Sequence, residues 1–254
     1  MTSKTESTSG FAGGAEGEMN LLSHALELRT RLIACLVFLL ICAGIAYAYA
    51  QEIFAFLLTP LPEGESRRLI YTGLPEAFLT YVKLALWTGV FVALPFIFLQ
   101  VWRFVAPGLY ANERRVFLLF MGLTPLLFFT GAAFSFYVVI PNAWKFFLSF
   151  EQTHGVGVPI VLEARISEYL SLTLQLIFAF GGAFLLPVVL FILNKIGVLS
   201  AGQLASGRRY AFVLILILAA ILTPPDVFSM IALAIPLYFL YEMSIILIKS
   251  FGKK

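Results

Sequence analysis

Apolar residues occur along this chain in long blocks, and the charged residues fall mostly in the short stretches between them. Lipid offers no hydrogen-bond partner to a backbone amide, so each block is predicted to form a transmembrane α-helix. The six blocks comprise residues 32–50, 75–104, 113–146, 167–194, 209–222 and 227–248. The pattern therefore predicts an all-α membrane protein with six transmembrane helices.

The composition supports this class of protein. Hydrophobic residues make up 61% of the 254 residues and charged residues 12%, whereas soluble domains are about half apolar and a quarter charged. A net charge of +3 without a long basic run gives no indication of a nucleic-acid partner. Residues 1–18 lack an apolar core and predict a disordered tail, not a cleavable signal peptide. We therefore expect a single membrane domain over residues 19–250 and a short tail over residues 251–254.

Basic residues are distributed unevenly over the connecting segments. An even number of spans places both termini on one side, and that side receives most of the Lys and Arg residues, which the positive-inside rule assigns to the cytoplasm. This group comprises Lys4, Arg29, Arg31, Arg103, Arg114, Arg115, Lys195, Arg208, Arg209, Lys249, Lys253 and Lys254. The opposite side receives only Arg67, Arg68 and Arg165, with Lys83 and Lys145 near its border. Both termini are thus predicted to be cytoplasmic.

The apolar blocks also differ in length. The second and third would each measure about 45 Å or more as helix, against a hydrocarbon core of about 30 Å. The fifth covers only about 20 Å, which favours local thinning of the bilayer, with snorkelling of the flanking residues as the alternative. Five prolines lie inside the apolar blocks, and a proline inside a helix removes one backbone hydrogen bond and tends to kink the helix. These prolines are Pro95, Pro125, Pro141, Pro187 and Pro236. We predict a kinked, concave bundle whose last two helices are short and whose outer loops, residues 51–74 and 151–166, cap the far side.

Two carboxylates flank apolar blocks on the predicted cytoplasmic face. Glu27 precedes the first block, and Glu113 lies in the turn between the second and third. A carboxylate accepts two parallel hydrogen bonds from a guanidinium but not from an ammonium, so the pair could distinguish Arg-Arg from Lys-Lys in a cationic peptide. Each also has a structural explanation, because Glu27 precedes Arg31 by one helical turn and Glu113 follows the potential cap Asn112. The nearby arginines could alternatively bind acidic lipid headgroups.

Other polar and aromatic residues lie within or beside the apolar blocks. Glu242, ionised in hydrocarbon, would cost about 2.5 to 3.5 kcal/mol. It should therefore face protein or water, be protonated, or reach the cytoplasmic interface. Lys83 can reach the outer interface through its long side chain, and Asp226 can cap the last helix. Most of the aromatic residues toward the outer end of the third block are interpreted as an interfacial belt. These residues are Phe134, Phe136, Tyr137, Trp144, Phe146 and Phe147.

Metal-binding and catalytic motifs are not recognisable in the sequence. Cys35 and Cys42 are separated by about 10 Å along a helix, too far for a disulfide within it. His24 and His154 have no second ligand at metal-binding spacing. There is no Ser and Lys pair with a base, no His-Glu-x-x-His and no glycine-rich phosphate loop. We predict a protein without metal or cofactor that is not an enzyme. A secondary transporter of a small solute remains the alternative, although it would need polar groups at the midplane and usually has repeated halves.

Three sequence motifs occur in order among the predicted spans. They are HALELRTRL at residues 24–32, QVWRFVAPGLYANERR at 100–115 and LTPPDVFS at 222–229. These motifs closely resemble those of the TatC family, a component of the twin-arginine protein translocase. The resemblance implies a receptor in the bacterial inner membrane that binds twin-arginine signal peptides of folded precursors. It also implies assembly with other TatC copies and with the single-span proteins TatB and TatA, and export driven by the proton-motive force.

The resemblance implies roles for individual residues as well. Family members bind the signal peptide with the amino-terminal segment and the first cytoplasmic loop. The matching positions here are Glu27, Arg29, Arg31, Phe104, Pro107, Tyr110, Glu113 and Arg115. Pro60, Asp226 and Glu242 match further positions typical of the family.

One position departs from the family pattern. Many relatives carry Glu or Gln two residues before the proline that matches Pro187, whereas this chain has Leu185. A polar contact attributed to that position, with the single-span partner helices, cannot form here, and we expect apolar packing instead. Gln175 lies about 15 Å away along the helix axis and roughly 80° around it, so it is not a simple substitute.

Overall fold

The computed structural model describes most of the chain as helix. The described backbone covers residues 9–61, 69–105, 114–151, 162–223 and 226–251, and the described side chains cover 26–61, 69–104, 119–151, 162–223 and 226–250. Within these ranges the only strand-like pairing is a parallel bridge between Ile70 and Arg165. The prediction of an all-α protein is confirmed.

The described residues form ten α-helices and one π-helical segment. The helices are α1 (Ser9–Ala48), α2 (Ala50–Leu58), α3 (Glu76–Val105), α4 (Arg114–Phe134), α5 (Ile140–Leu148), α6 (Ile166–Ala183), α7 (Leu186–Lys195), α8 (Ala201–Ser206), α9 (Arg208–Leu222) and α10 (Val227–Phe251). The π-helical segment, Ser135–Val139, joins α4 to α5. Because α1 begins at Ser9, helix extends into the stretch for which the composition predicts disorder.

Five helical stretches are long and apolar enough to cross a membrane among the described residues. They are Leu26–Ala48, Glu76–Phe104, Leu119–Leu148, Ile166–Lys195 and Val227–Ser250. The fifth predicted span corresponds to α9, whose 15 residues measure roughly 22 Å, less than the hydrocarbon thickness. The count of six spans therefore stays a prediction, and α9 is the short helix that the sequence predicts. The prediction that the last helix is also short is wrong, because α10 has 25 residues and is long enough to cross a membrane.

A helix occupies part of the first predicted outer loop. Residues 50–58 form α2, which the sequence analysis assigned to the end of the first span and the following loop, so this part of the prediction is wrong. Phe54 and Leu57 of α2 are buried, and the Phe54 ring lies 5.9 Å from the ring of Tyr81 and 6.5 Å from that of Tyr169. The Tyr169 hydroxyl donates a hydrogen bond to the Leu57 carbonyl. Tertiary packing on α3 and α6 thus stabilises a helix too short to predict from its own pattern.

Prolines interrupt the helices at only two of the five predicted positions. The chain passes from α6 to α7 just before Pro187, and from the π-helical segment to α5 just before Pro141. In both cases proline is the second residue of the new helix, where its missing N–H breaks no intrahelical hydrogen bond. Pro95, Pro125 and Pro236 lie inside continuous helices.

Glycines permit close helix contacts at two places in the bundle. A Cβ atom on Gly89 of α3 would lie 2.7 Å from the backbone of Ala43 in α1, and one on Gly131 of α4 would lie 2.6 Å from the carbonyl oxygen of Phe180 in α6. Small residues allow such close backbone approach between membrane helices. Gly89 and Gly131 therefore set the close spacing of the α1–α3 and α4–α6 helix pairs.

Candidate functional site

The described part of the candidate site lies where α1 meets the C-terminal end of α3. Arg31 donates from Nε to Glu27 Oε1 at 3.0 Å and from Nη2 to the same oxygen at 2.5 Å. Its Nη1 atom donates to Gln100 Oε1 at 3.3 Å and to the Gln100 main-chain oxygen at 3.4 Å. One guanidinium thus connects α1 to α3 through three acceptor atoms.

The ion pair between Glu27 and Arg31 confirms the one-turn pairing that the sequence spacing predicts. The Glu27 side chain is 38% exposed and the Arg31 side chain 22% exposed. Exposed pairs at this spacing contribute only about 0.3 to 0.5 kcal/mol to a helix. The ion pair between Glu27 and Arg31 is therefore weak enough to exchange.

Of the other predicted site residues, two have described side chains and four do not. Phe104, near the end of α3, is partly buried, and Arg29 is exposed on α1. Pro107, Tyr110 and Glu113 lie outside the described backbone, and Arg115 lies in α4 with an undescribed side chain. The structure therefore brings Glu27 and Arg31 to the end of α3, while the convergence of Glu113 on Glu27 stays a prediction.

Gln100 is the site residue that the sequence analysis missed. It opens the second family-like motif, and it precedes Phe104 by four residues, so the two lie on one face of α3. That spacing was the available signal. Its contact with Arg31 spans 69 positions of sequence, which no local pattern could reveal.

A second polar cluster connects α3 and α6 at the opposite end of α3. Glu76, the first residue of α3, accepts hydrogen bonds from the backbone N–H groups of Thr72 at 2.8 Å and Gly73 at 3.1 Å. It also accepts from the Ser167 hydroxyl and lies 3.4 Å from Arg165 Nη2. A carboxylate at a helix N-terminus is favoured by the helix dipole. This cluster holds the starts of α3 and α6 together, and the sequence analysis assigned Glu76 no role.

Lys83 connects α3 to α6 through a hydrogen bond. Its side chain is exposed, and Nζ donates to Ser171 Oγ of α6 at 2.8 Å. Whether Lys83 reaches the outer interface stays a prediction.

Two further predicted residues have structural positions. Asp226 is buried, and its Oδ1 accepts the backbone N–H of Ser229 at 2.6 Å. This contact confirms that Asp226 caps the last helix. Pro60 is partly buried in the turn that follows α2.

Glu242 forms an ion pair with Arg208. Its Oε1 accepts Arg208 Nε at 2.7 Å, and its Oε2 accepts Arg208 Nη2 at 2.9 Å. This is the two-point geometry by which guanidinium and carboxylate groups pair most strongly. The pair connects the start of α9 to α10, and both side chains are partly exposed, Arg208 at 49% and Glu242 at 30%.

Reversing one charge of this pair is expected to destabilise the protein. In the Glu242→Arg variant two guanidinium groups would meet where an ion pair now forms, and the melting temperature should fall by about 2 to 4 °C for each kcal/mol lost. The exchange Arg208→Glu combined with Glu242→Arg should recover most of that loss. Thermal unfolding of the purified protein in one detergent checks both variants, and equal melting temperatures for the single and double variants would contradict the pairing.

Leu185 and Gln175 have different environments. Leu185 lies at the break between α6 and α7 and packs against the hydrophobic core. Gln175 is exposed on α6. The two positions are therefore not equivalent, as the helix geometry predicts, while the effect of Leu185 on partner docking stays a prediction.

An apolar cavity of about 320 Å³ lies between α2, α3, α4, the π-helical segment and α6. Its walls include Ile53, Phe56, Trp87, Phe91, Phe129, Phe136, Tyr137, Leu174 and Phe178. Phe136 is buried and stacks on Phe56 with a ring separation of 4.9 Å. Its assignment to an interfacial belt is therefore wrong, because the π-helical segment directs it inward, whereas Tyr137 is 70% exposed.

Comparisons with known proteins agree with the motifs. A family model described as Sec-independent protein translocase protein (TatC) matches residues 23–236. The Sec-independent protein translocase protein TatC of Rickettsia prowazekii is 47% identical over 227 residues, which cover 88% of this chain and 90% of the relative. That of Aquifex aeolicus is 39% identical over 240 residues, covering 93% and 97%. A crystal structure described as the twin arginine translocase receptor TatC in DDM matches with a TM-score of 0.74 and 38% identity over 91% of this chain and 100% of that chain. The chain thus belongs to the TatC family of Sec-independent protein translocase proteins.

Proposed function

We propose that this protein is the receptor for twin-arginine signal peptides and the core subunit of a translocase that exports folded proteins. The observation that carries the proposal is the Glu27 carboxylate, which accepts a guanidinium through two nitrogen atoms at the junction of α1 and α3. The site therefore offers the acceptor that recognition of an arginine requires. A transporter of small solutes would not need this guanidinium site, and membership of the TatC family does not favour a transporter function.

The proposed setting is the bacterial inner membrane, with six spans and both termini in the cytoplasm. The excess of basic residues on one side supports this orientation. The proposed partners are TatB, TatA and further copies of the same chain, and the proposed energy source is the proton-motive force. In this role the protein is a receptor and not an enzyme.

The proposed peptide site combines two carboxylates with an apolar and basic surround. Glu27 and Glu113 accept the two arginines, and the remaining members shape the site or keep the carboxylates ionised. Those members are Arg29, Arg31, Phe104, Pro107, Tyr110 and Arg115. The position of Glu27 beside the end of α3 supports this arrangement, because the chain continues from that end toward Glu113.

Neutralising both carboxylates is expected to abolish the preference for arginine. The wild-type protein should bind a fluorescent peptide with Arg-Arg before an apolar segment about tenfold or more tighter than its Lys-Lys counterpart, because hydrogen bonds to charged groups contribute about 1.5 to 3 kcal/mol each. The double variant Glu27→Gln, Glu113→Gln should bind both peptides equally. Fluorescence anisotropy with the full-length protein in lipid nanodiscs measures the two affinities.

The matched control is Glu52→Gln, which neutralises an exposed carboxylate on α2 outside the site. It should keep the preference for Arg-Arg. Unchanged discrimination in the double variant would overturn the assigned roles of Glu27 and Glu113. Uptake of a small solute by vesicles that contain only this chain would support the transporter instead.

A further inference from the structure

The structure contains a guanidinium already seated at the proposed peptide site. All three terminal nitrogen positions of Arg31 have acceptors: Nε and Nη2 contact Glu27 Oε1, and Nη1 lies 3.3 Å from Gln100 Oε1 and 3.4 Å from its main-chain oxygen. These acceptors come from two helices and surround one planar group. The position of Arg31 therefore shows where an arginine side chain fits between α1 and α3.

We propose that Glu27 and Gln100 form a subsite for one arginine of the signal peptide, and that Arg31 occupies this subsite until the peptide binds. The inference rests on the proposed function and extends it in two ways. It adds Gln100 as a residue that binds the peptide, and it makes Arg31 an internal competitor for the Glu27 carboxylate.

The chemistry of the subsite suits arginine. A guanidinium has five N–H donors in a fixed plane and no acceptor, so it is best satisfied by several oxygens around its edge. Glu27 supplies a charged oxygen, and Gln100 supplies two neutral oxygens near the C-terminal end of α3, where the helix dipole favours a cation. An ammonium is a compact charge that cannot span these acceptors in one plane.

The internal contact is suited to exchange. Glu27 and Arg31 are both partly exposed, and exposed ion pairs one turn apart are weak. Replacing Arg31 by an arginine from the peptide substitutes one guanidinium for another, so hydrogen bonds are conserved. Occupancy of the subsite by Arg31 lowers the affinity for the peptide. The competition thereby weakens peptide binding and favours release.

Removal of the competitor should tighten binding of the Arg-Arg peptide. We expect Arg31→Gln to bind the fluorescent Arg-Arg peptide about two- to fivefold tighter than the wild type, the range that an exposed ion pair supplies. Arg31→Lys keeps the positive charge but loses the planar fork, so it should show a smaller gain of the same sign. Neither gain should occur in the Glu27→Gln background, where there is no carboxylate for Arg31 to occupy.

The contribution of Gln100 is measured after the competitor has been removed. In the wild type, loss of Gln100 weakens the internal and the peptide arginine alike, so the two effects partly cancel. In the Arg31→Gln background, Gln100→Met should weaken binding of the Arg-Arg peptide about threefold and leave the Lys-Lys peptide almost unchanged. The same anisotropy assay with the full chain in nanodiscs provides all of these affinities.

Arg209→Gln is the matched control for charge. It removes one arginine from α9, where the guanidinium contacts the Tyr210 ring and hydroxyl, and it should leave the affinity for the Arg-Arg peptide unchanged.

Two results would overturn the inference alone: Arg31→Gln binding no tighter than wild type although Glu27→Gln binds more weakly, or a gain that persists without the Glu27 carboxylate. Failure of the wild type to distinguish the two peptides would overturn the proposed function itself.

Discussion

Replacing Gly131 with alanine is expected to destabilise the protein strongly. The added Cβ atom would lie 2.6 Å from the Phe180 carbonyl oxygen and 2.7 Å from Cγ of the Phe184 ring. The carbonyl oxygen belongs to the α6 backbone, so a change of side-chain rotamer cannot remove the clash. The α4 and α6 helices would have to separate, and overpacking of this kind typically costs about 1 to 3 kcal/mol. The expected fall in melting temperature is therefore roughly 2 to 12 °C.

Gly122→Ala is the matched control, because Gly122 lies on the same helix and an added Cβ there meets no atom within 4 Å. Alanine is also the better helix former, so this variant should be as stable as the wild type or slightly more stable. Thermal unfolding of purified protein in a fixed detergent compares the two. Equal melting temperatures for Gly131→Ala and Gly122→Ala would show that the α4–α6 contact is looser than described.

The long helices could be predicted from the sequence because the membrane leaves the backbone no alternative. Apolar blocks of about twenty residues or more must be helical in lipid, and α3 matches its predicted block within one residue at each end. By contrast, α2 has only 9 residues, and it is stabilised by Phe54 and Leu57 packing on distant helices. The local sequence pattern of α2 does not indicate these contacts with distant helices.

The same distinction holds for polar residues. Pairing of Glu27 with Arg31 and capping by Asp226 follow from spacings of one helical turn, so the sequence predicts both. The partners of Gln100 and Glu242 lie 69 and 34 positions away in the sequence. The cost of placing the Glu242 carboxylate in hydrocarbon does not identify the residue that pairs with it. The sequence shows that a charge within an apolar block needs a partner, and the fold identifies that partner.

The position of α1 depends on another glycine, which connects helix packing to peptide recognition. A Cβ atom on Gly89 of α3 would lie 2.7 Å from both the Cα and the N atom of Ala43 in α1. Relief of this clash requires α1 to move away from α3 by about 1 Å, the difference from an ordinary carbon contact. Glu27 is on α1 and Gln100 on α3, so the subsite between them should widen.

We expect Gly89→Ala to lose about 1 to 3 kcal/mol of stability and to bind the Arg-Arg peptide several-fold more weakly than the wild type. Gly44→Ala is the control, because Gly44 adjoins Ala43 on α1 and a Cβ there meets no atom within 4 Å. Melting temperature and peptide anisotropy are measured on the same nanodisc preparations. A Gly89→Ala protein that is destabilised but binds the peptide normally would mean that Glu27 recognises arginine without the support of α3, because α1 alone would then suffice to orient its carboxylate.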